Sequence, residues 1–126
     1  MKPIVPTAIL ATICVVMASL AQIALKQGLS NPRVHEALQN HQWITVFWQL
    51  SVSPPMVVGV LLYTASTLIW FYALTLADVS YLYPFLGFGF VLTTATAALY
   101  LGETVTIMRW SGVLLIVAGV VIVSRS

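Results

Sequence analysis

Charged side chains are scarce: only 6% of the 126 residues are Asp, Glu, Lys or Arg, where a soluble domain carries roughly 25%. Five basic and three acidic groups cannot give a domain of this length a water-facing surface, which excludes a water-soluble fold. The basic residues Lys2, Lys26, Arg33, Arg109 and Arg125 are scattered along the chain. The formal charge of +2 therefore makes no basic patch, and no nucleic-acid partner is expected. The single cysteine, Cys14, excludes a disulfide framework or a multi-cysteine metal site within one chain. His35 and His41 are six positions apart, the wrong spacing for two ligands on one helix face. There is no nucleophile–base pair and no phosphate-binding glycine loop, so neither an enzyme nor a cofactor or metal protein is expected.

What remains is hydrocarbon, with 60% of the residues hydrophobic. A spanning helix needs about 20 mostly apolar residues, and residues 4–25, 56–76, 81–101 and 108–123 supply four such runs, the last somewhat short. Runs such as Val-Leu-Leu-Ile-Val-Ala-Gly-Val-Val-Ile-Val lack the alternation of a transmembrane barrel strand, and backbone polar groups in lipid must be bonded within their own segment. The expected fold is an all-α membrane protein, a four-transmembrane-helix bundle forming one unit over residues 1–126. Lys2, the first apolar run and Ser19-Leu20-Ala21 could also be read as a signal peptide with a small-residue cleavage site. The run is longer than an ordinary signal core, so a retained helix is expected.

Between the first two spans, residues 26–53 form a connection too long to be structureless in so small a protein. Asn31-Pro32 reads as an N-cap with proline in the first helical position. Val34, Ala37, Leu38 and His41 follow helical spacing, and Trp43, Phe47 and Trp48 come next. Such aromatics settle at a membrane surface, so residues 31–52 are expected to form one or two interfacial amphipathic helices. They would act either as an anchor or as a lateral wall for a lipid substrate. The other connections, at Asp78 and at Gly102-Glu103-Thr104, are short enough to force antiparallel neighbours in a compact bundle with both termini on one side. Lys2 and Arg125 then oppose Lys26, Arg33 and Arg109, a bias too small to specify orientation.

Thr12, Ser19, Gln22 and Lys26, spaced by seven, three and four, share one face of the first helix. A polar stripe in a span should face the bundle, a partner or a water-filled cavity. Lys26 is a candidate partner for an anionic head group; its alternative role is snorkelling at a helix C-terminus. In the third span Pro84 removes a helical donor while Gly87 and Gly89 permit close approach, so a kinked, tightly packed helix is expected there. Tyr81 and Tyr83 place hydroxyls near its start, serving either an aromatic belt or a substrate. Ser111 and Ala118, with Gly112 and Gly119, form a small-residue stripe on the fourth helix suited to a dimer seam. Glu103 and Arg109 could pair with each other, cap that helix or reach a ligand, Glu103 being read as structural.

Three segments within residues 74–123 resemble the EamA-like unit of the drug/metabolite transporter superfamily: Tyr81-Leu82-Tyr83-Pro84, Leu101-Gly102-Glu103-Thr104 and Arg109-Trp110-Ser111-Gly112-Val113-Leu114. Ala21-Gln22-Ile23-Ala24-Leu25-Lys26 is similar to the end of that unit's first helix. A lone four-helix unit of this size is similar to two groups, the small multidrug resistance exporters and the paired flippase subunits for aminoarabinose linked to undecaprenyl phosphate. The exporters bind cations and protons through a glutamate eight residues before the lysine matching Lys26, where this chain has Ala18. No other carboxylate lies in the four apolar runs, and alanine cannot exchange protons or offset a buried cation.

The flippase-like resemblance implies a lipid-linked sugar phosphate as substrate, in contact with Lys26, Gln22, Ser19, Tyr81, Tyr83 and Arg109. From their positions in the helices and turns, Pro84, Gly87, Gly89, Glu103, Gly112 and Gly119 are expected to have structural roles. The resemblance also implies membrane lipids as surroundings, a homodimer or paralogous heterodimer, and a bacterial inner (plasma) membrane location. The alternatives are a small-molecule efflux carrier and a non-transporting membrane subunit that stabilises a partner enzyme.

Overall fold

A computed structural model describes residues 4–125, all-α with six helices and no strand among them. In chain order these are α1 (Ile4–Leu29), α2 (Pro32–Gln39), α3 (Trp43–Val52), α4 (Pro54–Leu76), α5 (Val79–Tyr100) and α6 (Ile107–Arg125). Lys2 lies outside the described residues. Three helices, α1, α4 and α5, are long and apolar enough to cross a membrane, whereas the apolar stretches Trp43–Val52 and Ile107–Val123 are shorter. The helices overrun the apolar runs by a few residues, because polar residues such as Lys26 and Gln27 continue the α1 hydrogen-bond ladder beyond the hydrocarbon-like segment.

α1 is the centre of the fold, packing most extensively on α4 and next on α5. Thr7, Ala11, Cys14, Ala21 and Gly28 are all buried, and their spacing of four, three, seven and seven aligns small side chains along one seam. Small residues let helix backbones approach closely where lipid offers no hydrophobic drive for association. A Cβ on Gly28 would lie 2.9 Å from the Met56 Cβ and 3.0 Å from its backbone nitrogen, and one on Gly59 would meet Leu25 at 2.9 Å. Glycine is thus required on both helices at this end of the contact. Val15 and Ser19 turn instead towards α5, where a Cβ on Gly89 would lie 3.2 Å from Val15. At the end of the molecule that holds the α4–α5 turn, Ala11, Ala73 and Leu82 form a fully buried cluster.

α6 rests on α5, where Gly87 admits Val120 at 3.0 Å from an added Cβ. The helices therefore lie in the order α4, α1, α5, α6, cupped rather than closed, and the expected compact bundle is open between α1 and α6. Short turns dictate antiparallel neighbours but not closure, and an apolar face left without a protein neighbour costs little in lipid.

The long connection folds into the helical pair α2 and α3. Asn31 Oδ1 accepts a hydrogen bond from the Arg33 N–H at 3.0 Å, capping α2 with Pro32 in its first turn. Val34, Ala37 and Val46 form a small core between the two helices. His41 does not continue α2 as its spacing suggested. The helix stops at Gln39, and His41 adopts φ +55° to turn the chain into α3. Trp43, Ile44, Phe47 and Trp48 are exposed on α3, Ile44 by 88%.

Candidate functional site

The cupped arrangement encloses a groove of about 980 Å³ between α1, α5 and α6, with Tyr63 of α4 on its wall. This is at the upper end of ordinary small-molecule sites. Along α5 the lining extends from Ser80 to Thr94, about 21 Å at the α-helical rise. Its middle is apolar, formed by Val15, Leu86, Ile116 and Val120 among others, with Gly87, Gly89 and Gly119 leaving room between them. Pro84 also lines it; having no N–H, it leaves the Ser80 carbonyl four residues earlier without its helical donor. A smaller space of about 280 Å³ adjoins it between α1 and α4, lined by Cys14, Tyr63, Ser66 and Trp70 among others.

The groove gathers some of the expected contacts and separates others. Ser19 and Gln22 line one end and Tyr83 the other. Tyr83 is exposed and its ring lies 6.4 Å from that of Trp70 in an edge contact. Tyr81 points elsewhere, packed against the Ala11–Ala73–Leu82 cluster with its ring 5.7 Å from Phe85. Lys26 is exposed in the last turn of α1, four residues beyond Gln22 and outside the lining. Lys26, Gln22 and Tyr83 therefore do not converge on one point: α5 runs parallel to α1, Val15 and Ser19 lying beside Gly89 and Thr93, and so begins at the end of the molecule opposite to Lys26. Thr12 is exposed outside the lining, its hydroxyl donating to the Ala8 carbonyl at 2.8 Å.

Arg109 is exposed at the start of α6, and among the described residues it forms no ion pair with Glu103. The cap of α6 is Thr106, whose hydroxyl oxygen accepts from the Arg109 N–H at 3.2 Å. Glu103 is exposed and its N–H bonds the Ala97 carbonyl at 3.3 Å, just past Gly102 at φ +65°. A Cβ on Gly112 or Gly119 would meet nothing within 4 Å. Among the described residues, α6 therefore has open space beside both of these glycines.

Four polar lining residues escaped the sequence reading, Tyr63 on α4 and Ser80, Thr93 and Thr94 on α5, the two threonines lying beside Ser19. The Thr93 hydroxyl donates to that of Ser19 at 3.1 Å, joining α1 to α5, while Thr94 donates to the Phe90 carbonyl at 2.7 Å. Their only signal was a Thr-Thr pair in a helix expected to be apolar.

Ala18, where the exporters' glutamate would stand, lines both spaces. Among the described residues, no acidic side chain lines either one.

The probable 4-amino-4-deoxy-L-arabinose-phosphoundecaprenol flippase subunit ArnF of Photorhabdus laumondii is 29% identical over 119 residues, covering 90% of this chain and 92% of the relative. The chain is similar to the aminoarabinose-phosphoundecaprenol flippase subunits. The corresponding ArnE subunit of Pseudomonas fluorescens is 28% identical over 109 residues, 86% of this chain and 89% of its own. ArnE of Yersinia pseudotuberculosis is 40% identical over a shorter stretch of 57 residues, 45% of this chain and 50% of the relative. No family model matches the chain, and no solved structure matches it. With both subunit types as full-length relatives, the resemblance of the sequence to that flippase group holds.

Proposed function

We propose that this chain is a subunit of a membrane flippase that moves a polyprenyl-phosphate-linked sugar between leaflets. The observation that carries the reading is the groove, which is wide, apolar through its middle and open on the α1–α6 side, in a chain whose relatives over most of its length are named flippase subunits. In this reading α6 is the fourth span of a single four-helix unit. The α2–α3 pair lies on the membrane surface of a bacterial inner membrane, with Trp43, Phe47 and Trp48 in the interfacial layer. The prenyl chain leaves the groove sideways into lipid, and Lys26 holds the phosphate with Arg109 as a second cation. The proposal is tested by reconstituting the chain, with any co-purifying partner, and following a labelled polyprenyl-phosphate hexose across vesicles. Movement no faster than in protein-free vesicles would refute it.

One groove open on one side calls for a second subunit, either another copy or a paralogue, to close it. The free α6 face with Gly112 and Gly119 is the proposed seam. Cysteine placed at Gly112 should cross-link to the partner in native membranes, and a transporting monomer would refute this assembly.

A groove without a carboxylate has nothing to bind a proton in exchange for a cation. Vesicles with an imposed pH gradient should show no proton release on addition of a quaternary ammonium compound. Introducing Ala18→Glu places an acid in the same space. Cation-driven proton movement in the unmodified protein would mean that another group couples transport.

A further inference from the structure

We infer that Gln22, Ser19, Thr93 and Thr94 form a neutral hydroxyl-reading subsite for the sugar of a glycosylated lipid, separate from the place where its phosphate binds. This deepens the flippase reading above and rests on it. All four side chains line the same end of the groove, two from α1 and two from α5. Ser19 is only 2% exposed, and its hydroxyl accepts from Thr93 at 3.1 Å. Two hydroxyls carry two protons and share one hydrogen bond, so whichever donates, one proton is left without an acceptor among the described residues. The Gln22 amide likewise has no partner among them. Thr94 has given its proton to the Phe90 carbonyl and presents only an acceptor oxygen to the groove. Several other hydroxyls in the bundle bond to carbonyls of the preceding turn, as Ser66 and Thr67 on α4 and Thr96 on α5 do. A polar group in hydrocarbon without such a bond is costly, so the unpaired set at this end calls for a ligand.

The kind of ligand follows from the kinds of atom. Gln22 offers both donors and an acceptor, the Ser19–Thr93 pair a donor, and Thr94 an acceptor. A phosphate offers only acceptors and an ammonium only donors; each would leave half the set unmatched and would bring a charge into a space with no counter-ion. Sugar hydroxyls donate and accept at once and carry no charge. The phosphate then stays outside the lining, towards Lys26 one turn further along α1.

The test measures binding of two probes to the purified full chain with any co-purifying partner: a polyprenyl phosphate carrying one neutral hexose and the same polyprenyl phosphate without sugar. The unmodified protein should prefer the glycosylated probe. Thr93→Val, which keeps the side-chain shape, and Gln22→Leu should each weaken the glycosylated probe by about 3- to 10-fold, the effect of a neutral hydrogen bond, and leave the bare lipid unchanged. Thr93→Ser should behave as the unmodified protein. If Thr93→Val fails to fold, Gln22→Leu at its exposed position gives the same readout. Equal affinity for the two probes, wild-type binding by the variants, or equal weakening of both probes would overturn the subsite while leaving the flippase reading standing. Binding of neither probe by the unmodified protein would remove that reading, and the subsite with it.

Discussion

Lys26→Ala is expected to weaken binding of a polyprenyl phosphate by about 10- to 150-fold, the loss of a hydrogen bond to a charged group worth about 1.5–3 kcal/mol. The cause is position. Lys26 is exposed in the last turn of α1, four residues past Gln22 at the polar end of the groove. Its backbone carbonyl is already held by the Ser30 N–H at 3.0 Å and the Ser30 hydroxyl at 2.7 Å, so the helix end beneath the ammonium is well defined. Lys26→Arg should keep part of the affinity, since the charge remains while the geometry changes. Arg33→Ala, an exposed cation on α2, serves as the control. Affinity measured on correctly assembled protein decides: equal, small losses for the two alanine variants would indicate general electrostatic attraction, and Lys26 would have to be withdrawn as a phosphate ligand. A lysine that only snorkels would reduce the yield of inserted protein without changing the affinity of the folded fraction.

The largest effect on stability is expected at Gly28. An added Cβ there meets the Met56 Cβ at 2.9 Å and its backbone nitrogen and Cα at 3.0 and 3.1 Å. Backbone cannot swing away as a flexible side-chain tip can, so α1 and α4 must separate. Overpacking of this kind costs about 1–3 kcal/mol, and Gly28→Val should cost more than Gly28→Ala. Gly112→Ala is the matched comparison, because its Cβ meets nothing within 4 Å. Thermal unfolding in detergent should show a clear fall in Tm for Gly28→Ala and none for Gly112→Ala. If Gly112→Ala instead disrupts assembly in membranes while the chain stays folded, the α6 face is an interface. Similar Tm values for Gly28→Ala and the unmodified protein would show that the α1–α4 seam has slack at this end.

Much of the architecture follows from composition and local chemistry. The lack of charge determines the solvent, helix is the backbone structure that such runs can adopt in lipid, and Asn31-Pro32 starts α2 through a bond between near neighbours in the chain. The argument against a carboxylate-coupled exporter also needed only the chain, since it depends on which residue stands at position 18 once Lys26 is matched to the exporters' lysine. These properties are local: they depend on side-chain identity within one or two helical turns.

Other features depended on which helix lies beside which. Periodicity placed Ser19, Gln22 and Lys26 on one face, but only packing shows that Ser19 meets Thr93, 74 positions away, and that Lys26 falls outside the groove. Tyr81 and Tyr83, two residues apart, looked equivalent in the sequence; the helical turn sends one into the Leu82 cluster and the other to the groove. The sequence marked glycines 87 and 89 for close approach and glycines 112 and 119 for a dimer seam, but only packing shows that glycines 28 and 59 also make close approaches within the chain. The sequence alone determined a helical membrane protein with a polar first helix and no intramembrane acid. The tertiary structure decided which polar groups share a cavity, which glycines carry contacts and which face stays open. The physical reason is that helix formation is settled by bonds between residues a few positions apart, whereas a binding site requires side chains brought together from helices distant in the chain.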